Sequence, residues 1–272
     1  MEREELLHLS DLNLAEAVRE WARGKGGTIV EEHGRLLTAG PDAHPLLNNA
    51  LRTDPALDAS EFMRRTQEFY AQRGHGYALT LRAHGHDADL AKLAPESGLF
   101  PTLEPPAMVV EQRLEQVPPP AGVELRRVVD SSGVRDFRDV AAEAWTTYTI
   151  PPEVTAKVFS DERILLVPHV VAVVAYVEGT PMAAALALLS HGIAGIYWVS
   201  TMSRGRGQGL GEACTREVTN AGFDLGARAV SLQASPMGDA IYRRMGYVEI
   251  SKYQLFWCAP PGAASPPENE RR

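Results

Sequence analysis

The chain has 272 residues, 44% hydrophobic and 23% charged, with a formal net charge of −8. Such a balance excludes the basic surface of a general nucleic-acid binder and suits a globular protein with room for one large core or two modest ones. Two cysteines without metal-ligand spacing, no basic-then-apolar leader and no apolar run of bilayer length point to a cytoplasmic protein with no metal and no membrane partner. The acidic surplus tilts its expected partner toward an amine or another cation.

In chain order, residues 28–30 and 36–38 flank Glu32-His33-Gly34-Arg35 as a hairpin. Residues 62–72 predict a helix, 77–81 a strand and 89–94 a second helix, after which Gly98-Leu99-Phe100 enters an extended run. Glu115-Gln116-Val117-Pro118-Pro119-Pro120-Ala121-Gly122 reads as a linker, because three prolines favour extended polyproline backbone. It divides the chain into halves, 1–116 and 117–258. Beyond them, the Pro, Gly, Ser and Glu content predicts a disordered tail over 259–272.

The second half is the more legible. Val134, Phe137, Val140, Ala141, Ala144 and Trp145 recur at helical spacing over 134–147, and Ile150-Pro151-Pro152 stops that helix. Residues 170–177, 182–189 and 193–200 read as an antiparallel meander turning at Glu178-Gly179-Thr180-Pro181 and Ser190-His191-Gly192. Leu210, Ala213, Cys214, Val218, Ala221 and Leu225 then form one helical stripe, with Gly226 as C-cap and Cys214 as a buried structural thiol. A buried strand over 230–233, a short helix over 238–245 and a Gly246-Tyr247 step into a last strand through Trp257 complete a mixed α/β plan. The first half repeats parts of this order but has no glycine-rich loop between strand and helix, so as a copy it would have lost its ligand site.

That loop is the stretch Ser203-Arg204-Gly205-Arg206-Gly207-Gln208-Gly209-Leu210-Gly211. Dense glycine lets backbone N–H groups turn toward a ligand, and at the mouth of a helix those amides and the dipole attract an anion. A dinucleotide fingerprint fails in every frame: its last glycine or alanine would fall on Leu210, Glu212 or Cys214. A triphosphate P-loop fails for want of a Gly-Lys-Ser/Thr step. A pyrophosphate cradle outside the nucleotide folds remains.

Arg204-Gly205-Arg206-Gly207-Gln208-Gly209 resembles the Arg/Gln-x-x-Gly-x-Gly/Ala coenzyme A loop of the GNAT N-acetyltransferase superfamily. The run from Leu232 through Tyr242 to Gly246-Tyr247 is similar to that superfamily's second hallmark, a strand, a tyrosine-bearing helix and a Gly-aromatic step. Two positions depart from the pattern, with Ser235 where asparagine is frequent and Gly238 where alanine is usual. The resemblance covers residues 123–257 and implies a GNAT-like acyl-CoA N-acyltransferase fold, with the first half as the degenerate member of a tandem pair.

The implied chemistry moves an acetyl group from acetyl-CoA to a primary amine. The resemblance implies that the strands ending at Thr201 and near Ala234 splay apart, with a main-chain amide near Val199 or Ser200 donating to the thioester oxygen. The expected cofactor contacts are Trp198, Val199, Ser200, Thr201, Arg204, Gly205, Arg206, Gly207, Gln208, Gly209, Leu210 and Ser235. Tyr242 would protonate the departing thiolate, since a phenol stays protonated at neutral pH; the matching place in the first half, four residues before Gly98, is Ala94, which has no proton to give. Glu143, His169 and His191 are the general-base candidates by residue type, while Trp145, Tyr148 and Ile150-Pro151-Pro152 border the implied acceptor side. A non-catalytic acyl-CoA-binding or sensing module is the alternative.

Overall fold

Residues 1–24 and 26–262 are described by a computed structural model. A long helix, α1 (Arg3–Gly24), precedes the strands β1 (Thr28–Glu32), β2 (Arg35–Ala39) and β3 (Asn48–Arg52). Helix α2 (Ala59–Ala71) starts where the Asp58 carboxylate accepts the Glu61 N–H, and it leads through β4 (Tyr77–Arg82) to α3 (Ala88–Glu96). Two short strands follow, β5 (Phe100–Leu103) and β6 (Pro106–Val110). After β7 (Val123–Arg127), Asp130 caps α4 (Ser131–Ala144) by accepting the Gly133 N–H, and Pro152 opens α5 (Pro152–Val158) at its first position. The meander is β8 (Val170–Val177), β9 (Thr180–Ser190) and β10 (Ile193–Thr201). Then come α6 (Leu210–Asp224), β11 (Val230–Gln233), α7 (Asp239–Arg244) and β12 (Val248–Cys258).

Three hairpins close on the same local chemistry. His33-Gly34, Glu178-Gly179 and His191-Gly192 each place both residues at positive φ, the two-residue turn whose twist suits antiparallel strands. The expected turns therefore fall where the glycines put them. Helix α1 and strand β3 had no counterpart in the sequence reading, because neither carries a clean apolar period.

Two compact units result, but they are not the contiguous halves 1–116 and 117–258. One comprises residues 1–17 and 107–250, the other residues 18–106 and 251 onward. In the first unit the strand order is β6-β11-β10-β9-β8-β7, with only β10 and β11 parallel. In the second, β1, β2, β3, β4, β12 and β5 are neighbours in that order, with only β3 and β4 parallel. Each unit thus takes a last strand from the opposite half of the chain: β6 pairs with β11, and β12 pairs with β4. Strand complementation covers an edge that would otherwise expose its amides. Local sequence carries no sign of which edge a strand will join.

The linker reading is likewise corrected. Residues 113–120 lie along α6 within the first unit: the buried Asn220 amide bonds both the N–H and the C=O of Leu114, and Arg216 donates to the Glu115 carbonyl. The segment is a strap. Beneath it, Leu210, Cys214 and Val218 of α6 pack on the alanine-rich β9 and on Ala194 and Ile196 of β10. Cys214 is fully buried, and burial pushes its thiol up to about 12, as a structural cysteine requires. The tail expected from 259 lies outside the described residues from 263 onward.

Candidate active site

The site begins where two parallel strands part. The ladder between β10 and β11 runs Ala194↔Val230, Gly195↔Ser231 and Ile196↔Leu232; β11 ends at Gln233, while β10 continues to Thr201. Between Tyr197 and Ser200, β10 carries one residue more than its partner β9, a bulge that re-aims the main chain. Trp198 lies inside it at φ +55°, a left-handed conformation costing a side-chain-bearing residue about 1 kcal/mol or more. Its ring is held by Trp145 at 4.5 Å and Phe159 at 5.1 Å between centroids. Just upstream, the Tyr197 hydroxyl donates to Asn13 Oδ1 at 2.8 Å, so the first unit's piece of α1 anchors the strand entering the bulge. Sequence reasoning missed Asn13, since nothing local to residue 13 signals a partner at 197.

Beyond Thr201 the chain makes a single tight turn at Ser203–Gly205 and reaches α6 through Gly207 (φ +75°) and Gly209 (φ +74°). Both positions need glycine. Gly209 is the N-cap of α6 and offers no side-chain hydrogen bond, unlike Asp58 on α2 and Asp130 on α4. The first-turn N–H groups of α6 therefore receive no side-chain cap and stand at the positive end of a 15-residue helix. Leu210 anchors the turn in the core at 1% exposure.

In structural comparison the chain is similar to a GCN5-related N-acetyltransferase from Kribbella flavida (TM-score 0.68, 22% identity, 92% of this chain and 96% of that one). It is also similar to a GCN5-related N-acetyltransferase from Sphaerobacter thermophilus (TM-score 0.61, 17% identity, 85% and 82%). A third likeness is to a tandem GNAT protein from the clavulanic acid biosynthesis pathway (TM-score 0.54, 13% identity, 88% and 80%). The fold is that of the GCN5-related N-acetyltransferases. No family model and no curated protein matches the chain.

Within this GNAT fold the expected site residues divide into groups. Val199 lies within the bulge and Ser200 and Thr201 follow it; Ser200 is buried, its hydroxyl donating to the Trp198 carbonyl and accepting from Trp145 Nε1 at 3.2 Å. Arg204, Gly207, Gln208 and Gly209 are exposed on the loop, with Gln208 donating to the Arg204 carbonyl. Gly205 is buried beneath the loop, where an added Cβ would meet Leu210 and Met182. Arg206 turns elsewhere: it reaches the Thr201 and Ala144 carbonyls and the Thr147 hydroxyl. Ser235 accepts the Gly238 N–H at 3.3 Å in the turn leading to α7.

Tyr242 sits on α7 at 7% exposure, with the hydroxyl end of its ring over Gly238, where an added Cβ would come within 2.6 Å of Cε2. With alanine at 238 the end of the Tyr242 ring would have to shift. Burial pushes the phenol up to about 12, partly offset by a hydrogen bond with Thr215. One turn on, Thr219 shares a 2.7 Å bond with the Tyr247 hydroxyl, so two buried threonines of α6 receive two tyrosines.

The base candidates separate cleanly. The Glu143 carboxylate accepts the N–H and hydroxyl of Ser203, which occupies it as a loop anchor. His191 lies in the turn that opens β10 and His169 just precedes β8, whose Val170 pairs with Leu188. Both stand at the end of the meander opposite the loop. Among the described residues, no group of three or more His, Cys, Asp or Glu could hold a metal, and no helix is long and apolar enough to cross a membrane.

Proposed function

We propose that the protein is an N-acetyltransferase that binds acetyl-CoA in the first unit and acetylates a primary amine. The observation that carries this reading is the glycine-capped, side-chain-free start of α6 at the end of a bulged strand that has parted from its parallel neighbour. Amides of residues 207–211 would hold the diphosphate, with Arg204 as the loop's outward cation. The thioester supplies the activated acetyl group. A main-chain N–H of the bulge, at Val199 or Ser200, would donate to the carbonyl oxygen as charge builds there.

Tyr242 would give its proton to the departing sulfur. Its elevated pKa keeps it protonated through neutral pH; transfer to a thiolate, with a reference pKa of about 8.5, is uphill, and the phenolate completes it by taking a proton back from solvent. With Glu143 tied to Ser203 and both histidines at the far end of the meander, water is the acceptor proposed for the amine proton. The burial of Tyr242 against Thr215 is what favours the second reading, a non-catalytic acyl-CoA-binding module. Thiol release from acetyl-CoA across a panel of primary amines decides between them: turnover with any amine, lost in Tyr242→Phe, supports the enzyme, and tight binding without turnover supports the binding module.

A further inference from the structure

Arg206 occupies the middle of the loop assigned above to a diphosphate, yet its guanidinium bonds residues 144, 147 and 201. Nε approaches the Thr201 carbonyl at 3.4 Å, while Nη2 approaches the Ala144 carbonyl at 3.5 Å and bonds the Thr147 hydroxyl. Ala144 is the last residue of α4, so this cation lies at the negative end of a helix dipole, where it is stabilised. From the opposite direction, Glu143 reaches the loop and accepts the Ser203 N–H at 3.1 and 3.2 Å as well as its hydroxyl. Between these two ties, Trp145 Nε1 donates to Ser200.

Residues 143–147 are thus fastened to residues 200–206 at three successive points. The fastened segment has little stability of its own. Trp145–Tyr148 is a single tight helical turn ending at Thr149 with φ +59°, and Pro151 and Pro152 prevent its continuation. Its rings, Trp145 with Tyr148 at 5.7 Å and with Trp198 at 4.5 Å, stand beside the bulge. Whatever immobilises the loop also immobilises this aromatic turn, because ordering one partner lowers the entropy cost of ordering the other.

We propose that Glu143 and Arg206 are positioning residues that staple the 145–148 turn to the diphosphate loop, so that coenzyme A binding orders the wall the acceptor amine meets. The proposal rests on the coenzyme A reading above. It assigns Arg206 to the acceptor side instead of to phosphate.

The test is hydrogen exchange of residues 145–149 in the full chain, with and without coenzyme A, beside calorimetry with coenzyme A. Wild type, Arg206→Ala, Arg206→Lys and Glu143→Gln are compared. In the wild type, coenzyme A should slow exchange in this segment tenfold or more. Arg206→Ala should keep its coenzyme A Kd within threefold, lose that protection and raise the acceptor KM far more than it lowers kcat. Glu143→Gln should lose part of the protection, and Arg206→Lys should restore part of it. A tenfold or greater loss of coenzyme A affinity in Arg206→Ala overturns the proposal, because the guanidinium would then be a phosphate ligand. Unchanged protection in that variant overturns it too. A wild type that gives no heat with coenzyme A overturns the functional reading and the coupling together; ligand-free exchange tenfold faster in Arg206→Ala would still support the staple itself, and equal rates would refute it.

Discussion

The two units run the same order of elements to opposite ends. In each, a meander leads through a helix to a parallel strand, then to a short helix that stops at a left-handed glycine, Gly98 (φ +82°) or Gly246 (φ +97°). The stops match bond for bond: Leu99 donates to the Ala94 carbonyl and Tyr247 to the Tyr242 carbonyl, each at 3.0 Å. Ala94 therefore occupies the place of Tyr242. Where β10 and β11 part in the first unit, glycines and bare amides follow. Where β3 and β4 end in the second, Arg52 and Arg82 converge on Asp87 and Asp89 at the start of α3. The Arg52 side chain there is fully buried, and the helix after β3 is closed by Asp58. One fork opens onto a helix start with no side-chain cap, and the other is filled by the protein's own ions.

The sharpest way to break this comparison is to make the open fork as inert as the filled one. Tyr242→Phe should lower kcat by about 10²- to 10⁴-fold with the coenzyme A Kd unchanged, measured by thiol release. Because the phenol sits near 12, the wild-type kcat should show no alkaline fall attributable to Tyr242 below about pH 10. An alkaline limb near pH 8–9 that vanishes in Tyr242→Phe would overturn the raised phenol while keeping the acid role, and an unchanged kcat in that variant would undo the assignment.

In the filled fork, Arg52→Met should cost about 3–5 kcal/mol of stability in chemical denaturation, since it leaves buried Asp87 short of a partner. Coenzyme A affinity of the folded variant should not move. Burial works against ionisation of Asp87, yet the hydrogen bonds and charge of Arg82, with Arg52, hold its carboxyl below the usual range. A depressed carboxylate stabilises the fold above its ordinary pKa and loses that contribution as pH falls through the folded value. Wild-type stability should therefore decline below about pH 4, and Arg52→Met should flatten that slope.

Smaller effects sharpen the contrast between helix starts. Gly209→Val puts a branched side chain at φ +74° and should weaken coenzyme A binding about tenfold or more by calorimetry. Asp58→Ala removes the cap of α2 and should lower stability by about 1 kcal/mol without touching binding.

Much of the first unit was legible in the chain itself. Alternation and apolar period located β8, β9, β10, α6 and β11 to within a residue or two, because those signals depend only on near neighbours. The glycine loop was legible for the same reason, as left-handed backbone must be written as glycine. Gly238 against the Tyr242 ring was visible only as a departure from a pattern, and its physical meaning needed the ring's position. The Arg52 cluster was invisible, since its members are spread over 38 positions, from 52 to 89, with no local period joining them.

The amino-acid order alone therefore determined most strands and helices of the first unit, where they turn, and that a glycine-rich loop opens α6. Only the tertiary structure decided that β6 and β12 change sides, that Glu143 holds Ser203, and that Arg206 points to the end of α4. The physical reason is range. Backbone conformation is set by steric and hydrogen-bonding rules within a few residues, whereas the direction of a long charged side chain and the partner of a strand edge are set by groups that only folding brings near.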